Sequence, residues 1–234
     1  MIRLQAFLAR GGAAPSRRKA EAFIEARRVT VNGATASIGA TVAPGDEILL
    51  DGRIVTLPKE TVSFALHKPA GYLTTMKDEP GKHRPTIRAL MPDHPGLVPA
   101  GRLDAATTGL LILTNDGPLA NRVAHPSREM EKEYLLVIKN PAPEKSLAAL
   151  AAGPNLEDGP MLPSKLTCLR SAGQNTTLHL TIHEGRNRII RRACEAVGLT
   201  LIRLHRIRVG PVTLGDLPEG GHRPLTSEEL EALR

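Results

Sequence analysis

Arg102 and Asp104 stand two residues apart in a turn opened by Gly101, within the stretch Pro99 to Gly117. The chain then passes through Thr107 and Gly109 into an apolar run, Leu110 to Leu113, closed by Asn115-Asp116-Gly117. That run predicts a buried strand ending in a tight turn. A carboxylate with a basic neighbour on a loop beside such a strand is placed for chemistry, because the rigid element behind the loop fixes the reactive group. An ionised carboxylate there can act as a nucleophile. The spacing equally allows a structural role, in which Asp104 caps a helical turn over Ala105 to Thr108.

Composition narrows the class of partner. The 234 residues are 41% hydrophobic, enough to bury the core of one medium and one small domain. No apolar run approaches the ~20 residues that span a bilayer, and Met1 to Phe7 lacks a signal-peptide apolar region, so a cytoplasmic protein without membrane contact is expected. Thirty-one Lys and Arg against 24 Asp and Glu give a net charge of +7, which favours a polyanionic partner. Phe7, Phe23, Phe64, Tyr72 and Tyr134 are too few to stack rows of bases, so Arg and Lys must do most of any RNA binding. Cys168 and Cys194 sit in apolar contexts without a Cys-x-x-Cys pair, which predicts two reduced core residues and no thiolate metal site.

The elements around the loop can be read in chain order. Leu4, Phe7 and Leu8 share one face of a first helix ended by Gly11-Gly12; Ser16 caps a second, with apolar face Ala20, Phe23 and Ile24. Arg17, Arg18 and Lys19 fill the first turn of that second helix, and Arg27 and Arg28 its end. Cations at a helix start oppose the macrodipole, a cost that a bound phosphate offsets, although a solvated face is the other reading. Val29 and Val31 lead into the hairpin signal Asn32-Gly33, and short strands follow to Leu50. Arg53 to Thr61, with Pro58-Lys59-Glu60, reads as a linker.

Beyond the linker, Val62 to Leu66 reads as a strand, Thr74 to Pro99 as a loop with a short helix at Ile87 to Met91, and Pro118 to Val123 as a helix. His83 and His94 in that loop lack metal spacing. Glu131 to Val137 enters a strand that carries Tyr134; a helix and a Gly/Pro loop over Ala142 to Leu162 are expected to carry no chemistry. Lys165 to Leu169 and Thr176 to Ile182 read as paired strands, whose alternation removes a helical metal pairing of His179 with His183. From Glu184 to Arg208 there are seven Arg and two Glu, a net of +5 and the densest basic patch in the chain.

Four motifs together resemble the RsuA/RluB family of pseudouridine synthases: His67-Lys68-Pro69-Ala70-Gly71-Tyr72; Gly101-Arg102-Leu103-Asp104 through Gly117; Lys132-Glu133-Tyr134; and Glu184-Gly185-Arg186 through Arg191-Arg192. Residues Leu201 to Thr226 resemble the RluB type, which acts on large-subunit ribosomal RNA. The resemblance implies that Asp104 is the catalytic nucleophile, that Arg191 pairs with it, and that Tyr134 stacks on the target base. It further implies an apolar contact at Leu204, substrate contacts at Lys68 and Arg102, and RNA contacts at Arg186, Arg188 and Arg192. The first sixty residues resemble the RNA-binding module of ribosomal protein S-four, which implies RNA contacts at Arg17, Arg18, Lys19, Arg27 and Arg28. The implied fold is α+β: a small two-helix and sheet domain at 1–58, then a catalytic domain at 62–234 with a mixed, mainly antiparallel sheet flanked by helices. The partner would be ribosomal RNA or a pre-ribosomal particle, bound by a monomer without cofactor or metal. His67 stands where the family has Asn, Ile189 where it has Gln, and Ala193-Cys194 where it has Met-Phe. If those changes spoil the site, the same fold would serve as a non-catalytic ribosome assembly factor; a synthase for small-subunit RNA is the other alternative. A glycosyl hydrolase is disfavoured because no second carboxylate is fixed near Asp104.

Overall fold

The computed structural model describes residues 1–58, 60–76, 84–125 and 129–233; Lys59 and His83 lie outside the described residues. Two compact units are distinguished, one of Met1–Val62 with Pro92–Val98 and Thr114–Gly117, the other of Ser63–Met91, Pro99–Leu113 and Pro118–Arg234.

In the first unit, strand β1 (Ile2–Arg3) leads into helices α1 (Leu4–Arg10) and α2 (Arg17–Glu25), followed by β2 (Val29–Val31), β3 (Ala34–Thr35), β4 (Thr41–Val42), β5 (Ile48–Leu50) and β6 (Arg53–Ile54). Ser16 caps α2, its hydroxyl accepting from the Lys19 N–H at 3.2 Å. Asn32 and Gly33, with φ of 51° and 79°, turn β2 into β3 as the hairpin signal requires. Leu4, Leu8, Ala20, Ile24, Val29 and Ile48 form the core. Arg53 and Ile54, expected in a linker, instead pair with Leu50 and Leu49, and Val55 is buried. The linker reading failed there because a two-residue edge strand carries almost no periodicity.

The second unit is built on a nine-stranded sheet. Its strands are β7 (Ser63–Lys68), β8 (Val98–Pro99), β9 (Thr108–Thr114), β10 (Lys132–Lys139), β13 (Lys165–Ala172), β14 (Asn175–Ile182), β15 (Leu201–Val209), β16 (Val212–Thr213) and β17 (His222–Pro224). The order is β13-β14-β10-β15-β9-β7-β17, with β16 on β15 and β8 on β9. β15 and β9 run parallel, whereas the β10–β14, β10–β15, β13–β14 and β7–β17 pairs are antiparallel, so the sheet is mixed and mainly antiparallel. A separate hairpin joins β11 (Asn155–Leu156) to β12 (Gly159–Pro160). The helices are α3 (Gly117–Ala124), α4 (Glu144–Ala152), α5 (Ile189–Ala196) and α6 (Ser227–Ala232), and a 3-10 turn spans Ile87–Leu90.

Two apolar clusters flank the sheet. Tyr134, Leu136 and Ile138 on β10, with Leu178, Leu180 and Ile182 on β14, pack with α4 and α5. Leu110 and Ile112 on β9 pack with Leu119 and Val123 of α3 and with Val209 and Val212. The period of two along β10 and β14 and the uninterrupted burial of β9 follow from one being covered on alternate positions and the other lying deep in the sheet. Cys194 belongs to the first cluster, but Cys168 is exposed. The core expectation for Cys168 is therefore corrected: β13 is the outermost strand, and most of its residues face solvent.

At Gly109 the backbones of β9 and β15 leave no room for a side chain. The glycine pairs with Arg206, its φ is +105°, and a Cβ there would lie 2.1 Å from the Arg206 carbonyl oxygen. Neither backbone can give way. Gly109→Ala is expected to cost roughly 2 to 5 kcal/mol from left-handed strain and overpacking together; an unchanged urea midpoint would contradict this close approach.

Candidate active site

An open cleft of about 810 Å³, mouth included, is lined by Arg102, Asp104, Tyr134, Arg186, Arg188, Arg191 and Leu204, so seven of the sequence-selected residues converge on one place. They come from the signature loop, from β10 and β15, and from the turn and first residues of α5. Asp104 sits at the mouth, its side chain about a quarter exposed. Its Oδ2 is 3.7 Å from Arg191 Nε and 3.5 Å from Arg188 Nη1.

No helix forms over 105–108. Ala105 and Ala106 make a turn closed by the Thr107 N–H to the Asp104 carbonyl at 3.0 Å, and Thr108 already begins β9. The capping alternative for Asp104 is thereby removed, and its carboxylate faces the two guanidinium groups instead.

The loop is held from four sides. Thr74 Oγ1 donates to the Leu103 carbonyl at 2.6 Å and accepts from the Leu103 N–H at 3.3 Å. The Gly71 N–H donates to the Ala105 carbonyl at 2.8 Å. Arg191 Nη2 donates to the Ala106 carbonyl at 3.2 Å and to Thr107 Oγ1 at 3.1 Å. Beneath these, the Lys68 ammonium donates to the carbonyls of Pro69, Ala105 and Thr107 at 2.8, 3.2 and 2.9 Å.

Lys68 corrects the expectation of a substrate contact. It is fully buried and does not line the cleft. Its donors are consumed by backbone carbonyls, so it shapes the loop rather than touching what binds there. Burial pushes its pKa down to about 8, against the opposing pull of Asp104 and Glu219. His67, the neighbouring departure from the family pattern, packs on His205 with ring centroids 5.2 Å apart and donates from Nδ1 to the Leu217 carbonyl at 2.8 Å. Burial, then His67, lowers His205 to about 4.

Arg186 and Arg192 are paired with carboxylates of the protein. Arg192 makes a two-point contact with Asp158, at 2.8 and 3.0 Å, and Arg186 is engaged by Asp158 and Glu184 at 3.0 and 2.7 Å. Arg188 is half-exposed and open to the cleft. In the first unit, Arg28 is likewise engaged by Asp51 at 2.9 and 2.5 Å and lies 4.4 Å from the Phe23 ring centroid, while Arg17, Arg18 and Lys19 occupy the first turn of α2 and Arg27 follows its end.

Sequence reading missed Lys132, Arg206 and the helix α5. Lys132 and Arg206 line the cleft, and Arg206 pairs in register with Tyr134. The buried Arg206 donates from Nε to the Leu110 carbonyl at 2.7 Å. Lys132 donates to the Met130 carbonyl at 2.8 Å, and burial followed by Arg206 lowers it to about 8. The usable signal was alternation: Lys132 shares a strand face with Tyr134, and Arg206 with Leu204. Ile189, Ala193 and Cys194, the other departures, are buried on the inner face of α5. The cleft thus presents two carboxylates, Asp104 and the Arg186-bound Glu184, among several cations, an aromatic ring and apolar side chains. Among the described residues no cluster could hold a metal ion, and no helix is long and apolar enough to cross a membrane.

Lys68→Met removes the ammonium from three carbonyls, of which Ala105 keeps the Gly71 N–H, and is expected to cost about 2 to 4 kcal/mol. The folded pKa of about 8 lies below the 10.5 of a free lysine, so between those values the unfolded chain binds more protons and the Lys68 contribution to stability rises with pH. The deficit of Lys68→Met relative to the parent should be larger near pH 10 than near pH 7; an equal or smaller deficit would contradict the buried-ammonium assignment.

Comparison with known proteins agrees with this geometry. The family described as RNA pseudouridylate synthase matches residues 63–196, and the S4 domain matches residues 2–48. An uncharacterized RNA pseudouridine synthase of Aquifex aeolicus (strain VF5) is 43% identical over 235 residues, covering 99% of this chain and 93% of its own. The ribosomal large subunit pseudouridine synthase B of Bacillus subtilis (strain 168) is 40% identical over 238 residues, covering 100% and 96%. A solved pseudouridylate synthase superposes with a TM-score of 0.70 at 35% identity, over the full length of both chains. With a catalytic-domain match over more than half its length and relatives of this similarity, the chain belongs to the RNA pseudouridylate synthase family and is an isomerase that carries an S4 domain.

Proposed function

We propose that this enzyme converts a uridine of large-subunit ribosomal RNA to pseudouridine, with Asp104 as nucleophile. The observation that carries the reading is the Asp104 carboxylate lying 3.7 Å from Arg191 and 3.5 Å from Arg188 at the mouth of a cleft floored by Tyr134 and Leu204. The large-subunit assignment rests on relatives named as synthase B of that subunit, about 40% identical across nearly the whole chain.

The reaction breaks the bond from uracil N1 to ribose C1′, turns the ring, and joins C1′ to C5; C5 then gives up its proton and N1 takes one, so the atom count does not change. A carboxylate attacks only when ionised, and the two guanidinium groups stand beside Asp104 as its ion-pair partners. The uridine must leave its stack, at a cost of a few kcal/mol, which places it over the Tyr134 ring. Leu204 keeps water from the detached base, and Arg102 is placed to support the displaced backbone.

Asp104→Asn keeps the side-chain volume and removes the charge. Pseudouridine formation by the purified variant should fall by at least three orders of magnitude, with the thermal midpoint and RNA affinity of the parent. A rate within about tenfold of the parent, ~1.4 kcal/mol of barrier, would remove Asp104 from the chemistry.

The first turn of α2 is the proposed grip on the RNA backbone. Three cations there oppose the helix dipole, and phosphate offsets that cost. Replacing Arg17 and Arg18 together by Ala should weaken RNA binding at low salt and flatten the salt dependence by about two phosphate contacts' worth of slope. An unchanged slope in filter binding would dissociate this helix from the RNA.

A further inference from the structure

Asp158 sits at the turn of the β11–β12 hairpin and does not line the cleft, yet it joins two arginines that bracket the site. Arg192 donates from Nη1 to Oδ1 at 2.8 Å and from Nη2 to Oδ2 at 3.0 Å; Arg186 donates from Nη1 to Oδ1 at 3.0 Å. The hairpin backbone also accepts from Arg186, from the same Nη1 at the Asp158 carbonyl (3.0 Å) and the Gly159 carbonyl (3.1 Å), and from Nη2 at the Pro160 carbonyl (2.8 Å). Glu184 completes the ring, with Oε2 accepting from Arg186 Nε and Oε1 from the Leu162 N–H, each at 2.7 Å. The contact with Arg192 holds the Asp158 carboxyl below the usual range, and Arg192 is raised in turn.

Between the two pinned arginines lie Arg188 and Arg191, the residues that face Asp104. Arg188 has a φ of 49°, in the left-handed region, which a residue with a side chain holds only where its surroundings over-determine it. Anchors at 186 and 192 supply that constraint from both sides. Arg191 Nε is buried, 3.7 Å from Asp104 and without a hydrogen-bond partner, so a slight rotation of α5 decides whether the pair engages.

We infer that Asp158 is a positioning residue for pseudouridine formation: by clamping Arg186 and Arg192 to the hairpin, it keeps Arg188 and Arg191 against Asp104. This rests on the function proposed above. A carboxylate held by two guanidinium groups also resembles a bound phosphate, so the rival role is a mask that RNA displaces. The two roles predict opposite results.

The test uses the full-length protein, with single-turnover rates and dissociation constants measured on a large-subunit RNA fragment for Asp158→Ala, Asp158→Glu, Arg192→Ala and the Asp158→Ala/Arg192→Ala double variant. The clamp predicts a rate at least tenfold lower for Asp158→Ala, ~1.4 kcal/mol, with RNA affinity within about twofold of the parent. It also predicts a double variant no slower than the slower single one, since both remove one contact, and recovery of most of the rate by Asp158→Glu. An unchanged rate, multiplicative losses, or tighter RNA binding at an unchanged rate would overturn it, the last in favour of the mask. Arginine Nε–H signals in NMR spectra supply a readout that does not need turnover. Protection at Arg191 that is lost in Asp158→Ala supports the clamp, and protection that persists overturns it. A parent protein that makes no pseudouridine would instead refute the proposed function, leaving the NMR comparison to decide the clamp.

Discussion

The site depends on one buried ammonium. Lys68, at the end of β7, reaches under the signature loop and donates to three carbonyls, two of which belong to residues just after Asp104. A charge removed from water is costly unless its donors are all used, and here they are. The arrangement fixes the path of the chain from Ala105 to Thr107, and so where Asp104 points. From Thr107 the chain enters β9, whose parallel pairing with β15 requires a glycine at 109. On its other edge β15 pairs with β10, with Leu204 and Arg206 opposite Leu136 and Tyr134, and Tyr134, Leu204 and Arg206 line the cleft.

Charge is distributed unevenly around that wall. Arg188, Arg191, Arg206 and Lys132 line the cleft with Asp104, and burial lowers the pKa of both Arg191 and Lys132, largely without a compensating anion of the protein. Arg191 feels Arg188 as a further penalty, with Asp104 opposing it. A surplus of desolvated cations is a local cost that an incoming polyanion relieves, which is consistent with RNA as the partner. Asp158 pairs with Arg186 and Arg192 and Glu184 with Arg186, so the cations left without such a carboxylate partner are among those that line the cleft.

Much of this was legible in the sequence, for identifiable reasons. The run Leu110 to Leu113 had to be a buried strand, Ser16 had to cap a helix, and Asn32-Gly33 had to turn a hairpin, because each rests on local chemistry that tertiary context seldom overrides. The convergence of Asp104, Tyr134, Arg191 and Leu204 came from motif resemblance, since no spacing rule connects residues a hundred positions apart. What the sequence hid was the use of each charge. Arg186, Arg188, Arg191 and Arg192 read as one basic patch, but α5 and its αL entry send two toward Asp104 and two toward Asp158. Lys68 read as a ligand for substrate because nothing local shows that three carbonyls surround it. Cys168 read as core because edge and central strands share the same short-range pattern.

The central claim is that this geometry modifies a uridine in the large ribosomal subunit. Chemical mapping of pseudouridine across ribosomal RNA, compared between cells that contain the protein and cells that lack it, tests the claim most directly. The account predicts loss of pseudouridine at a defined position of the large-subunit RNA, restored by returning the protein. Identical maps in the two strains, or a loss confined to small-subunit RNA, would contradict it.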